Sequence, residues 1–591
     1  MTTRFGFVAL VLLLAIGLAP ATTVTAGGAK IDKALQGLID IGGNPAGTVR
    51  VIIQIKNGSR AKVAASLAAL GDLIIGDLTS GAMVVTIHIG DIGTLGKNAN
   101  VVALSMDADV KAHSRITTAN QPPVTQDALR AVLGLSASSP TGKGIVVALI
   151  DSGSGNTDDN DHRIAAFYDF TKDGKKAGPE DKYGHGSHIT GLIGSSGKQT
   201  HGLYAGVAPA VTFVGLRVLD QNGNGNTSIV IAAIEFATAN KAALGIDIIN
   251  LSLGHPIYEP AASDPLVQAV ERAVKAGIVV VVSAGNDGMN PTTGEVGYAG
   301  IESPGNAPSA ITVGTVATMG TAARGDDRVA DYSSRGPSWY DGFAKPDLVA
   351  PGHRLVSDAV DDGILHNNPS WKIEPPTDGN GKFMRLSGTS MSTGVVSGVA
   401  ALILEANRAG KNADGAPMAR LTPYDVKAIL EYTATDVAGA DALTQGAGEI
   451  NAAGAIALTK AFDTRFTPWA VKPMTPTTTV GGQTQPWAMS LIWGDGQLTN
   501  LPPEDAEWGT HVVWGNHVVW GNHVVWGTKI VWGNNVVGGT HVVWGNSVVD
   551  ANHVVWGNHI VWGNHVVWGN SIDYDAIGLG ANSCRVSELC Y

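Results

Sequence analysis

Cysteine is almost missing from this chain of 591 residues: the only two, Cys584 and Cys590, stand at its extreme C-terminal end. No disulfide can staple the bulk of the chain; the pair either closes a short terminal loop or stays as two thiols. Charge is sparse as well. Asp, Glu, Lys and Arg make up 15% of the residues, the net charge is -12, and Lys and Arg nowhere cluster. Phosphate contacts need such clusters, so no nucleic-acid partner is expected. Beyond the N-terminus there is no apolar run long enough for a membrane span. The run Phe5 to Leu18, with Arg4 before it and Pro20 and Val24-Thr25-Ala26 after it, is shorter than the ~20 residues a span needs. It has the order of a secretory signal over residues 1–26, with cleavage after Ala26. A secreted protein is expected, extracellular or held at the cell surface, with no membrane span once the signal is removed.

What is present is a globular composition, 44% hydrophobic, in a chain too long for one core. Residues 27–120 read as a first unit and its linker, with a core over 48–107. There "TVRVIIQI", "SRAKVAASLAAL", "DLIIGDL", "AMVVTIHI", "DIGTLGKN" and "VVALSM" give the βαββαβ order of the ferredoxin-like split motif. Residues 121–460 read as an α/β unit. Apolar runs without polar alternation, Ile145 to Ile150, Val211 to Val218, Ile246 to Ser252 and Ile278 to Ser283, are strands covered on both faces. The helical stretches between them supply right-handed crossovers of a mostly parallel sheet, with helices on both faces.

A Pro- and Thr-rich stretch, 461–507, reads as a linker. From 508 to 570 the hexad "HVVWGN" recurs, with Trp at every sixth position from Trp508 to Trp568 except at Gly538 and Asp550. A strict period means units that bury a face only against their neighbours, a β-rich repeat segment. Short strands joined by Gly-Asn turns and a β-solenoid both fit. Residues 571–591 form a C-terminal tail.

Polar residues gather where loops leave the carboxyl ends of the apolar strands, the usual place of function in open α/β sheets. Asp151 ends "ALID", and Asn286 ends "VVSAGN". His185 stands in "YGHGSHITGLIG", where glycine on each side gives the backbone room to present the ring. A zinc site on His185 and His188 lacks further ligands at a suitable spacing. Ser390, in "RLSGTSMSTGVVSG", opens a long helical run and is either its cap or a nucleophile. Each residue alone has an ordinary structural reading. Jointly, Asp, His and Ser stand in one of the chain orders of a hydrolytic triad.

The motifs around these residues resemble the subtilisin-like serine peptidases, the subtilase family. Further matches are "VLDQNGNGN" from Val218, "NLSLG" from Asn250, "SSRGP" from Ser333 and "KPDLVAPG" from Lys345, in family order over about Gly144 to Ile456. The resemblance implies a serine endopeptidase in which Asp151 orients His185, His185 serves as base and acid, and Ser390 attacks. Asn286 with the Ser390 N–H would hold the oxyanion. It makes the first unit a propeptide that assists folding, inhibits, and is removed by self-cleavage between Asp107 and Gln126. Protein or peptide substrates would lie extended between the segment with Gly223 and Gly225 and the segment Ser252, Leu253, Gly254. An S1 pocket of Ser252 to Gly254 with Ser283, Ala284 and Gly285 would lack fixed charge and weakly favour apolar P1 side chains. No cofactor is required for the chemistry; structural calcium is implied, without assigned ligands. One departure is Thr393-Gly394-Val395, where the family has Thr-Pro-His. An alternative reading makes the repeats, with a surface partner, the working part of an assembly protein whose peptidase unit only processes itself.

Overall fold

The computed structural model describes residues 30–112, 126–160, 162–290, 292–373, 381–466, 469–494, 496–498 and 501, and beyond them six short strands between 530 and 568. The signal stretch, most of the repeats and both cysteines lie outside the described residues.

The α/β unit is built on a nine-stranded sheet. Val146–Asp151 is central, flanked in parallel by Ile248–Leu251 and Thr212–Arg217; Ile164–Asp169 follows on one side, and Val279–Ser283, Ile311–Ala317 and Leu348–Pro351 on the other. Only Lys175–Lys176 and Arg328–Val329 run antiparallel, at the edges. The apolar runs divide with the two-residue period of a strand. Val147, Leu149 and Val281 face the core around the helix Thr389–Ala409, whereas Ala148, Ile150, Val280 and Val282 face the helices Thr227–Ala239 and Pro265–Lys275. Burial on both sides is why these strands show no polar alternation.

The first unit folds as its pattern predicts, four antiparallel strands in the order Leu73–Asp77, Met83–His88, Thr48–Ile55, Val101–Met106, with Arg60–Leu70 and Ile92–Lys97 as its helices. A further helix, Lys33–Asp40, precedes it, capped by the side chain of Asp32. This unit does not stand apart. Ile52, Val84 and Val110 share the core of the helices Thr227–Ala239 and Pro265–Lys275. Asp107 lies at the first turn of Thr227–Ala239, where its carboxylate accepts from Ser228 N at 2.7 Å and Ser228 Oγ at 2.8 Å. A carboxylate at a helix N-terminus satisfies free N–H groups and meets the positive end of the helix dipole.

The stretch read as a linker corrects that expectation. Hairpins Thr477–Val480 with Gln483–Pro486 and Leu491–Trp493 with Gly496–Leu498 occupy it. Trp469, Trp487 and Leu491 are buried in the peptidase-side core, and Met489 N donates to Tyr432 O at 2.9 Å. Apolar area buried by large aromatic residues outweighs the Pro and Thr content that suggested an open chain.

Of the two repeat architectures, the described strands follow the solenoid. Ile530–Trp532, Val542–Trp544, Val554–Trp556 and Val566–Trp568 pair in parallel, with Trp532, Trp544, Trp556 and Trp568 in register. Val536–Gly539 pairs with Val548–Ala551 in a second sheet. One coil is thus two hexads, 12 residues, as the shift from Trp532 to Trp544 shows.

Candidate active site

Asp151 is the last residue of the central strand, and its buried Oδ1 accepts from Ser152 N at 2.7 Å. His185 begins the helix His185–Gly194, with its Nδ1 2.8 Å from Asp151 Oδ1. A carboxylate partner fixes the proton on Nδ1 and leaves Nε2 as the acceptor, which forms no hydrogen bond here. The glycines predicted to give His185 room do so. Gly184 has φ +99°, and a Cβ on Gly186 would lie 2.0 Å from the carbonyl oxygen of Gly153. The helix therefore packs backbone to backbone on the loop that follows Asp151.

Sequence reasoning missed Asp181, which organises this turn. It accepts from Gly184 N, Ser187 N and Ser187 Oγ at 2.8 Å each and from Ser152 Oγ at 2.9 Å. Burial first, and the neighbouring Asp151 charge last among the causes, push its carboxyl above the usual range. An Asp a few residues before a helix start is the signal that could have found it. His188 lies on the same helix as His185. Its Nε2 bonds the carbonyl of Leu355 at 3.1 Å, and burial and then His185 push its pKa down to about 3.

Ser390 is the second residue of the helix Thr389–Ala409 and does not cap it. The cap is Asn286, whose Oδ1 accepts from Thr389 N at 3.1 Å and Thr389 Oγ1 at 3.3 Å. Because Thr389 N can only donate, the amide is oriented with its oxygen toward the helix, and Nδ2 is turned to the other side as a donor. Ser390 Oγ donates to the carbonyl of Ser252 at 2.9 Å, and Ser252 Oγ donates to Ser390 O at 3.1 Å. The hydroxyl thus rests on the Ser252 segment instead of on His185 Nε2. Gly394, the departure from the family pattern, lies on this helix, where its Cβ would stand 3.2 Å from Ile189 Cγ2. A small residue there lets the helices carrying His185 and Ser390 approach each other.

The residues expected to hold substrate lie around a strand of the first unit. Asp109–Ala112 is the middle of three, antiparallel to Asn224–Asn226 and to Leu253–Gly254. Gly225 pairs with Val110, Gly254 with Lys111 and Leu253 with Ala112, while Gly223 O accepts from Ala112 N at 3.3 Å. Ser283 ends its strand, and Ala284 O and Gly285 O accept from Glu302 N and Ser334 N. Both Ser390 and His185 are fully buried with this strand in the cleft.

The Asn156–His162 loop, acidic in sequence, uses Asp159 to accept from Gln199 N at 2.9 Å and Ser196 Oγ at 3.2 Å. Across from it Asp358 is pushed up to about 8 by burial and by the charge of Asp159. Among the described residues the loop does not bring three side-chain ligands within reach of one ion; the set that does is Asp72, His88 and Asp91, in the first unit. Calcium therefore keeps no assigned ligands here.

The description "Subtilase family" matches residues 142–448, more than half of the chain. Serine protease AprX of Bacillus subtilis (strain 168) is 34% identical over 369 residues, 61% of this chain and 76% of that protein. Subtilisin E of the same organism is 33% identical over 276 residues, 46% of this chain and 58% of its own length. Fervidolysin from Fervidobacterium pennivorans shares the fold with a TM-score of 0.53 at 20% identity, over 73% of this chain and 63% of that one. An Asp–His pair at the carboxyl end of a parallel sheet, a serine at the start of the buried helix beside it and this breadth of similarity have one meaning: the chain belongs to the subtilase family, the subtilisin-like serine endopeptidases.

Proposed function

We propose that the protein is a secreted endopeptidase made as a self-processed precursor, with Asp151, His185 and Ser390 as its triad. Asp151 holds the imidazole with Nε2 toward the cleft and stabilises the imidazolium that forms. His185 takes the Ser390 proton as Oγ attacks the scissile carbonyl, then gives it to the leaving amine. The tetrahedral oxyanion is held by Asn286 Nδ2 and the Ser390 N–H, the latter at the positive end of its helix. Water, activated by His185, then hydrolyses the acyl-enzyme. The chemistry calls for no cofactor.

The observation that carries this reading is the seat of Asp109–Ala112. It enters the cleft as an extended substrate enters by strand addition. Leu253 lies opposite Ala112, and the neighbouring Ser252 is the residue whose carbonyl Ser390 Oγ touches. Self-cleavage accordingly falls in the segment Asp107 to Gln126, which this strand leads into the cleft. N-terminal sequencing of purified material is expected to begin within 108–126; an N-terminus outside that range would sink the propeptide reading.

Release of the cleaved unit is expected to depend on pH. Asp32 and Glu259 meet where the first unit packs on the loop before Pro265, with Asp264, His255, Ser105 and Ser263 around them. Burial foremost pushes Asp32 up to about 6 and Glu259 up to about 8. In the separated parts both return toward ordinary carboxyl values, so the bound form holds more protons than the free form. Its affinity is full at acid pH and is lost as pH rises from about 4 through 6 to 8. Inhibition of the mature enzyme by the added first unit is expected to weaken about tenfold or more between pH 5 and pH 8. A flat profile would show that these carboxyls do not feel the interface.

A further inference from the structure

We infer that the S1 subsite takes a cationic P1 side chain, Lys or Arg, with the carboxylate of Glu302 as its counter-charge. The inference rests on the peptidase reading above and names the substrate class of that same site.

A cavity of about 630 Å³ adjoins the reacting centre, and its wall on the peptidase side includes Gly254, Pro256, Asn286, Asp287 and Glu302. The strand in the cleft borders it with Ala112, its last residue. The cavity opens beside Asn286, the proposed oxyanion donor. From Ser283, Ala284 and Gly285 the sequence predicts an uncharged S1. The structure adds a carboxylate from another part of the chain.

Glu302 reaches the cavity because its backbone is fixed to the same wall. Its N–H donates to Ala284 O at 3.1 Å, and the next residue, Ser303, exchanges both backbone hydrogen bonds with His255, at 2.8 and 3.0 Å. Gly285 makes room for the side chain. A Cβ at Gly285 would stand 3.0 Å from Glu302 Cγ and 3.2 Å from Cδ, and its φ of +107° also favours glycine. The Glu302 side chain thus lies against Gly285, one of the predicted S1 residues. Two cationic groups also line the cavity, Arg50 and Lys111, but both belong to the first unit and leave with it; Arg50 is in any case paired with Asp107 at 2.7 Å. On the peptidase side Glu302 and the exposed Asp287 are the acidic groups of the wall, beside His255, whose Nδ1 is held by the carbonyl of Pro256 at 2.7 Å. A partly desolvated carboxylate strengthens its pairing with a cation and repels an anion, which is how a single charge in such a pocket sets P1 choice.

The test is turnover of a peptide series differing only at P1, by the full-length protein after self-processing. Lys and Arg are expected to exceed Phe and Leu in kcat/KM by about 10- to 100-fold, with Glu lowest. Raising the salt concentration should lower the Lys and Arg values and spare Phe. Glu302→Gln is expected to remove most of the Lys and Arg advantage while Phe and Leu stay within about threefold, the latter also showing that the variant is folded. Should the variant fail to fold, the wild-type ranking and its salt dependence decide alone. Apolar P1 ahead of basic P1 in the wild type, or a Glu302→Gln loss equal across the series, overturns the assignment and leaves the peptidase standing. A protein that cleaves neither the series nor casein refutes the peptidase reading itself, and this inference with it.

Discussion

Replacing Ser390 by alanine is expected to lower peptide turnover on the order of a million-fold, the scale that removing the nucleophile costs in a subtilisin, and to leave the purified chain uncut between Asp107 and Gln126. The fold should be unaffected. Ser390 gives up one hydrogen bond, to the carbonyl of Ser252, and the helix start is held by Asn286 through Thr389. Asp151→Asn tests the other end of the same relay. An amide in place of the carboxylate can turn its NH₂ toward His185 Nδ1, 2.8 Å away, which favours the tautomer with the proton on Nε2 and disarms the base. The expected loss is about 10⁴-fold, smaller than for Ser390 because oxyanion donors and binding still act. The two losses should not add in the double variant, since both remove one function. Processing that continues unchanged in Ser390→Ala, in material free of other proteases, would refute self-cleavage.

The Asp–His–Ser set was legible because each residue follows a buried strand or opens a helix, and those elements show strongly in the apolar pattern. Ser390 was ambiguous for a physical reason. A hydroxyl at a helix start is the usual cap, and only the structure shows the capping bond coming from Asn286, 103 residues before Thr389 in the chain. Asp181 and Glu302 were not legible. Each acts through a packing relation between segments, Asp181 on the Gly184 turn and Glu302 against Gly285, that spacing does not encode. The hairpins in 469–498 were hidden by Pro and Thr content, since their stability comes from Trp487 and Leu491 reaching a core elsewhere. For the repeats, the 12-residue coil was in plain sight. Gly538 and Asp550, the breaks in the Trp pattern, are themselves 12 residues apart and fall in the paired strands Val536–Gly539 and Val548–Ala551.

The largest stability effect is expected at Asp347, in the "KPDLVAPG" motif. Its Oδ2 lies 2.8 Å from Lys345 Nζ and its Oδ1 3.0 Å from Lys427 Nζ, with all three side chains fully buried. Oδ2 also accepts from Thr312 N at 2.7 Å, which ties the charge to the sheet. Glu431 completes the group, 3.9 Å from Lys427, while its other oxygen accepts from Ile492 N at 2.7 Å. Burial foremost pulls Lys345 down to about 8 and pushes Glu431 well up, so neither can make good the loss of Asp347. Asp347→Ala leaves two buried ammonium groups with carbonyls and one reluctant carboxyl, and is expected to cost about 3–5 kcal/mol, read as the urea midpoint in a Ser390→Ala background where unfolded chains are not digested. The hairpin Leu491–Trp493 should loosen with it, because Lys427 Nζ also sits 4.9 Å from the ring of Trp493. Replacing Lys345 and Asp347 together by Met and Leu should recover much of the loss, since a buried ion pair exchanged for packed apolar groups is near neutral. A single Asp347→Ala variant as stable as the parent would mean that water reaches these charges. In that case the C-terminal hairpin covers them less closely than the bond from Ile492 to Glu431 implies.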